Sequence, residues 1–525
     1  MCCGILQDDI EKGIYHTCCS KGDGNRMEQL WGSVADVWAG ICGHTLWLSL
    51  LFSIAIVFFE RRNPKSVWAW LLLLYFIPVL GFILYLFLGW NMHNRKMFRI
   101  KEVEEQLGQA IRRQTRQLKA ASMENIDPAI SDYRELIMYN LATSEAVLTD
   151  DNGVRIFVDG RSKFQALMED IRRARHFIHI QYYIIRNDVL FGEIRKLLVQ
   201  KAAEGVEVRV LFDAMGCRGV NHRYWKGLVH EGIRVAEFFP AFFGRLQLRM
   251  NYRNHRKIVV IDHQVAYVGG FNIGREYVDL EEKYGHWRDT HLRITGSAVG
   301  ALGLRFAMDW NYASGENLLE SPGVWNAAEH MLEGPYIPEE KGGHCDIQII
   351  SSGPDNTTRQ IRDNYLQLIH KARESIYIQT PYFIPDEEIL TALKIAVRSG
   401  VRVHIMIPCK PDHMFVYWAT YSYVGELVME GANCYTYDNG FLHSKGIIVD
   451  GRVFCYGTAN MDIRSFSLNF EVNAVVYDAH KAKEMEGYFQ QDLKHCTCIT
   501  RDMYAARGVA VRLREQICRL LSPLL

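Results

Sequence analysis

Two apolar runs dominate the early part of the chain. Residues 41–59 carry no charge, and residues 67–89 are apolar again after a polar link of Glu60, Arg61, Arg62, Asn63, Pro64, Lys65 and Ser66. A helix needs about 20 apolar residues to cross a bilayer, so the pattern predicts a two-helix transmembrane hairpin. Trp47, Trp68, Trp70 and Trp90 sit where interfacial anchors belong. Basic residues after the second run (Arg95, Lys96, Arg99, Lys101) favour a cytoplasmic location for the rest of the chain.

A polar helical stretch over about 100–145 leads into alternating segments of period 2 and period 3.6. Strands are predicted at 153–160, 177–188 and 206–216, with helices at 163–176 and 189–205. The same order returns as strands at 345–354, 375–386 and 401–412, with helices at 356–374 and 386–400. Gln181 answers to Gln379 and Gly205 to Gly400. One unit used twice implies two similar α/β/α domains about a pseudo-twofold axis. The predicted division is an extension (1–38), the hairpin (39–92), a helical linker (93–148), and two domains (149–335 and 336–525).

Composition narrows the classes. The 525 residues hold 60 basic and 60 acidic side chains, which argues against a surface tuned to nucleic acid. Thirteen scattered cysteines, with no zinc spacing, suit a reducing compartment rather than a disulfide framework.

Each half then delivers one string. The first runs His255, Arg256, Lys257, Ile258, Val259, Val260, Ile261, Asp262, six residues, then Gly269, Gly270, Phe271, Asn272. The second runs His443, Ser444, Lys445, Gly446, Ile447, Ile448, Val449, Asp450, six residues, then Gly457, Thr458, Ala459, Asn460. His and Lys two apart on a strand share a face. Asp262-His263 and Asp450-Gly451 are placed as hairpin turns, which sets Gly270 opposite His255 and Thr458 opposite His443. The aspartates enter the candidate catalytic set with their strings, although a turn position gives them a bracing role. Two imidazoles, two ammoniums and the amides of Asn272 and Asn460 make a pocket for a phosphodiester. Cations and amides hold nonbridging oxygens while one imidazole attacks and the other works as acid, then base. Lysines take the place of a metal, so no cofactor is expected. A nucleophilic histidine needs a carboxylate on its other nitrogen; Asp289 and Glu471 are the candidates. Before the first string, aromatics at 238, 239, 242 and 243 adjoin Arg245, Arg249 and Arg253, a pattern suited to anionic headgroups.

The doubled His-x-Lys-x4-Asp string followed by Gly-[Gly/Ser/Thr]-x-Asn resembles the phospholipase D superfamily. Over about residues 40–525 the chain is similar, more narrowly, to bacterial cardiolipin synthases. That resemblance implies a multi-pass membrane enzyme joining two phosphatidylglycerols into cardiolipin with release of glycerol; it does not call for a protein partner. It also implies that His255 attacks the first lipid while His443 protonates the departing glycerol, roles a nearly symmetric site could exchange. A phospholipase D-type hydrolase and a phosphatidylserine synthase use the same site with another acceptor. An inactive membrane scaffold conflicts with two complete strings.

Overall fold

The computed structural model describes residues 101–120, 131–240, 251–318 and 344–522, with shorter helical stretches between 47 and 85. Residues 1–90 and 91–525 form separate compact units. In the first, Pro64–Phe76 is α-helical. Most of the two apolar runs lies outside the described residues, among which no helix is long and apolar enough to cross a membrane.

In the second unit the repeat is visible strand by strand. The first half orders its strands Thr149–Phe157, His291–Thr295, Val265–Gly269, Ile258–Ile261, Phe177–Tyr182, Glu207–Asp213 and Arg234–Phe238. The second half orders Cys345–Ser352, Asn469–Tyr477, Val453–Gly457, Gly446–Val449, Ser375–Gln379, Arg402–Pro408 and Asn433–Tyr437, then adds Cys496–Cys498 at the edge. The leading strands of the two halves pair antiparallel, Thr149 opposite Ile347, so one sheet runs through both halves. Strands that pair in parallel, such as Phe177–Tyr182 with Glu207–Asp213, need a crossover helix. Val189–Ala203 supplies it here and Glu387–Arg398 in the second half, each capped by an aspartate (Asp188, Asp386) that accepts from a backbone N–H in the first turn.

Helices Ala298–Ser314 and Ala479–Leu493 pack against the central strands where the halves meet. Leu302, Phe306 and Trp310 share one core with Ile347, Phe454, Phe470 and Phe489. The helical linker is more than a linker. Leu118, Tyr133, Leu136, Ile137 and Leu141 are buried in the second half's core, and Asn140 Nδ2 donates to Gln348 Oε1 and Asn364 Oδ1.

The hairpins correct the expected register by one residue. Gln264 N donates to Ile261 O and Arg452 N to Val449 O at 3.0 Å each. Asp262, His263, Asp450 and Gly451 all take positive φ. A third residue joins each loop, however, because Val265 pairs with Ile261 and Val453 with Val449. The register 446↔456 continues as Gly457 N donating to Lys445 O at 3.3 Å, which puts Thr458 across from Ser444 rather than His443. By the same count Gly270 faces Arg256, not His255.

Candidate active site

His255 and Lys257, like His443 and Lys445, fall in the extended segment just before their strand rather than within it. Each segment is held by the opposite half. Arg253–Asn254 pairs in parallel with Asn469–Phe470, and His255 N donates to Phe470 O at 2.9 Å. Phe441–Leu442 pairs in parallel with Trp287–Arg288, and His443 N donates to Arg288 O at 2.7 Å. The next residue along each partner segment is a carboxylate. Glu471 Oε2 therefore lies 2.9 Å from His255 Nδ1, and Asp289 Oδ2 lies 2.6 Å from His443 Nδ1. Each half orients the other's imidazole. With Nδ1 committed, Nε2 is the nitrogen left for chemistry.

The carboxylates are themselves fixed. Glu471 accepts from Thr458 Oγ1 at 2.6 Å and Asn469 Nδ2 at 3.1 Å, and Asp289 accepts from Thr290 N at 2.7 Å. Gly270 has no side chain because there is no room for one: a Cβ there would stand 2.0 Å from Asp289 Oδ1. Gly270→Ala is therefore expected to push Asp289 off His443 and to lower kcat by about 100-fold, as displacements near 1 Å do, with little change in KM. Steady-state kinetics on the folded variant checks this.

The lysines turn back on their own strings. Lys257 Nζ donates to His255 O at 2.8 Å, and Lys445 Nζ donates to His443 O. Burial pushes Lys257 down to about 7 and Lys445 down to about 8, against the pull of Glu471 and Asp289 respectively. Burial and Lys445 likewise push His443 down to about 4, and burial lowers His255. Burial alone would raise Glu471 and Asp289; beside His255 and Lys445 respectively, both fall below the usual carboxylate range. The free enzyme thus holds neutral imidazoles beside ionised carboxylates. The ammoniums are present below their pKa values and lost above them. kcat/KM, which reports the free enzyme, should fall as pH rises through about 7 to 8. A bound phosphate anion favours ammonium, so the alkaline limb of kcat should lie higher. A pH–rate series reads both limbs.

Three sequence candidates are redirected. Asp262 and Asp450 do not reach the site. Asp262 accepts from the backbone N–H groups of Arg175, His176 and Phe177, and Asp450 from those of Arg373, Glu374 and Ser375. Both brace the strand that starts beside the turn. Asn272 lines the cleft, but its amide is spent on Ile184 N and Tyr277 OH. Asn460 also lines the cleft, and its Oδ1 is buried with no partner among the described residues. Of the aromatic and basic stripe, residues 241–250 lie outside the described residues, while Phe238 and Phe239 are core and Arg253 lines the cleft.

Sequence reasoning missed the layer beneath. Arg256 donates to Asp309 Oδ1 at 2.6 Å, to Ser351 Oγ at 2.8 Å and to Glu471 O at 3.2 Å. Arg288 Nε donates to Asp492 at 2.9 Å. Gln181 and Gln379 donate to the same two aspartates, at 2.6 and 2.8 Å. The repeated glutamines were the signal: each marks the buried aspartate on the helix behind its string. Tyr183 stands edge-on to His255 with ring centroids 5.1 Å apart, and Trp287 is 5.3 Å from His443.

Both histidines open on one cleft of about 1130 Å³, whose walls include Tyr183, Arg253, Trp287 and Asn469. Two oriented imidazoles opening on one cleft, each with a buried lysine two residues further on, form the arrangement of a phospholipase D-type phosphotransfer site. Residues 167–286 and 365–493 match the family model described as cardiolipin synthase, PLD-like domain, and residues 45–90 match that described as phospholipase D-nuclease N-terminal. The chain is 46% identical to a cardiolipin synthase of Oceanobacillus iheyensis over 92% of its length and 99% of the relative's. It is 46% identical to the major cardiolipin synthase of Bacillus subtilis over 91% of its length and 97% of the relative's. A solved structure of phosphatidylserine synthase from Haemophilus influenzae shares the fold, with a TM-score of 0.58 at 14% identity, covering 76% of this chain and all of that one. The chain belongs to the cardiolipin synthase family, whose members are phosphatidyltransferases.

Proposed function

We propose that this enzyme transfers a phosphatidyl group from one phosphatidylglycerol to another, through a covalent phosphohistidine in the cleft, anchored by the hairpin with its catalytic part on the cytoplasmic side. The observation that carries this reading is the pair of cross-braced imidazoles opening on one cleft. His255 Nε2 attacks phosphorus, the bond from phosphorus to the glycerol oxygen breaks, and His443 gives that oxygen a proton. The phosphodiester's negative charge, on entering the cleft, favours the proton on His443 that the free enzyme lacks. His443 then takes the proton of the second lipid's primary hydroxyl, whose oxygen displaces His255. Cardiolipin and glycerol leave, and both histidines return to their starting state. Lys257, Lys445 and the amide of Asn460 hold the nonbridging oxygens, and Asn272 shapes the wall behind them. Asp289 and Glu471 stabilise each imidazolium as it forms. The two halves act as domains related by a pseudo-twofold axis that places one histidine on each side of phosphorus.

The purified full chain, given phosphatidylglycerol in detergent, is expected to release cardiolipin and glycerol in equal amounts. Phosphatidic acid alone would mean that water is the acceptor, and the reading would fail. Because lysines supply the positive charge, a chelator is expected to leave the initial rate unchanged; strong inhibition by it would contradict the role given to them.

A further inference from the structure

Exposed apolar side chains that the chemistry does not use flank residues of the cleft wall along the chain. Val189, Leu280, Met414 and Phe415 are all more than half exposed. Each directly adjoins a residue of the cleft wall: Asp188, Glu281, His413 and Val416 respectively. They come from three segments in both halves: the start of helix Val189–Ala203, the loop after Arg275–Val278, and the start of helix Met414–Glu430. They therefore form a discontinuous rim and not one amphipathic stripe. Cations stand among them. Lys283 lines the cleft with no carboxylate partner among the described residues, and Arg186 and Arg275 are held in place by Glu276 and Glu281.

We propose that this rim is the surface that seats the catalytic part on a phospholipid bilayer, with Leu280, Met414 and Phe415 entering the boundary between headgroups and acyl chains. The inference rests on the phosphatidyl-transfer reading and adds to it the route of the substrate. A two-chain lipid must bring its phosphorus to His255 and His443 while its acyl chains stay in hydrocarbon. A cleft mouth edged by apolar side chains lets the headgroup rise into the site without exposing those chains to water. The ammonium of Lys283 meets the anionic headgroups that lie at that depth.

The test compares one enzyme on two forms of one headgroup. The full chain and its Leu280→Ser/Phe415→Ser variant are assayed on phosphatidylglycerol in vesicles and on dihexanoyl phosphatidylglycerol kept monomeric. Neither substituted residue lines the catalytic cleft, so turnover of the monomeric lipid should stay within about twofold, while turnover of the vesicle lipid should fall about tenfold or more as apolar contact is lost. Equal effects on both substrates, or an unchanged vesicle rate, would overturn the proposal. So would a change in oligomeric state on sedimentation, which would make the rim a contact between copies of the chain. A single Leu280→Ser variant, measured the same way, covers the case in which the double variant does not fold. An unsubstituted chain that turns over neither lipid would instead sink the phosphatidyl-transfer reading itself.

Discussion

Alanine at His255 or at His443 is expected to lower phosphatidyl transfer by about 10⁴-fold or more, the scale of losing one member of a group that acts as a unit. Each imidazole opens on the cleft and is gripped at Nδ1 by a carboxylate from the opposite half. The two substitutions should be far from additive, because either one stops the same two-step exchange. Initial rates for both single variants and the double variant check this, with melting curves to show that the fold survives. Residual activity above a few per cent in either single variant would contradict a shared site. Glu471→Gln should leave some turnover, since an amide still accepts a hydrogen bond from Nδ1 but stabilises the imidazolium less.

Removing Arg256 should cost stability rather than chemistry. Its guanidinium is fully buried and joins Asp309, Ser351, Ser352 and the carbonyl of Glu471. Arg256→Ala strips the buried Asp309 of its guanidinium partner and leaves it hydrogen-bonded to the amides of Gln181 and Asn254. Breaking one side of such a pair costs about 3–5 kcal/mol, a large share of the stability of any domain. Denaturant titration of the variant measures it. Adding Asp309→Asn should recover only part of the loss, because Gln181 and Asn254 then donate to a neutral acceptor. A loss below about 1 kcal/mol, the range of exposed pairs, would mean that the cluster does not lock the halves together.

Much of this was legible in the sequence because a repeat is self-checking. The strand and helix order of one half predicted that of the other, and the two strings marked the same place in each. What the sequence could not carry was anything set by pairing across the halves. Glu471 comes after His443 in sequence, yet it serves His255, and Asp289 comes after His255 yet serves His443. The exchange is decided by two-residue parallel ladders, Arg253–Asn254 with Asn469–Phe470 and Phe441–Leu442 with Trp287–Arg288, which are too short to leave a periodic signal. The register error has a local cause. Asp-His and Asp-Gly do form the positive-φ centre of each turn, but the third loop residue shifts every partner by one. Asp262 and Asp450 entered the catalytic set with their strings because a motif does not say which members touch substrate, although their turn position already gave them a bracing role. Their backbone bonds show that the strings also fix where the next strand begins. Asp309 and Asp492 stood unmarked on amphipathic helices, and only the glutamines pointing at them repeated visibly.

On the proposed route phosphorus changes partners twice within one cleft. The most direct measurement is the stereochemistry at phosphorus, using a phosphatidylglycerol made chiral as a single phosphorothioate diastereomer. Two in-line displacements, first by a histidine and then by the acceptor hydroxyl, predict that the product keeps the starting configuration. Inverted configuration would mean a single direct attack, and the histidine would have no covalent role.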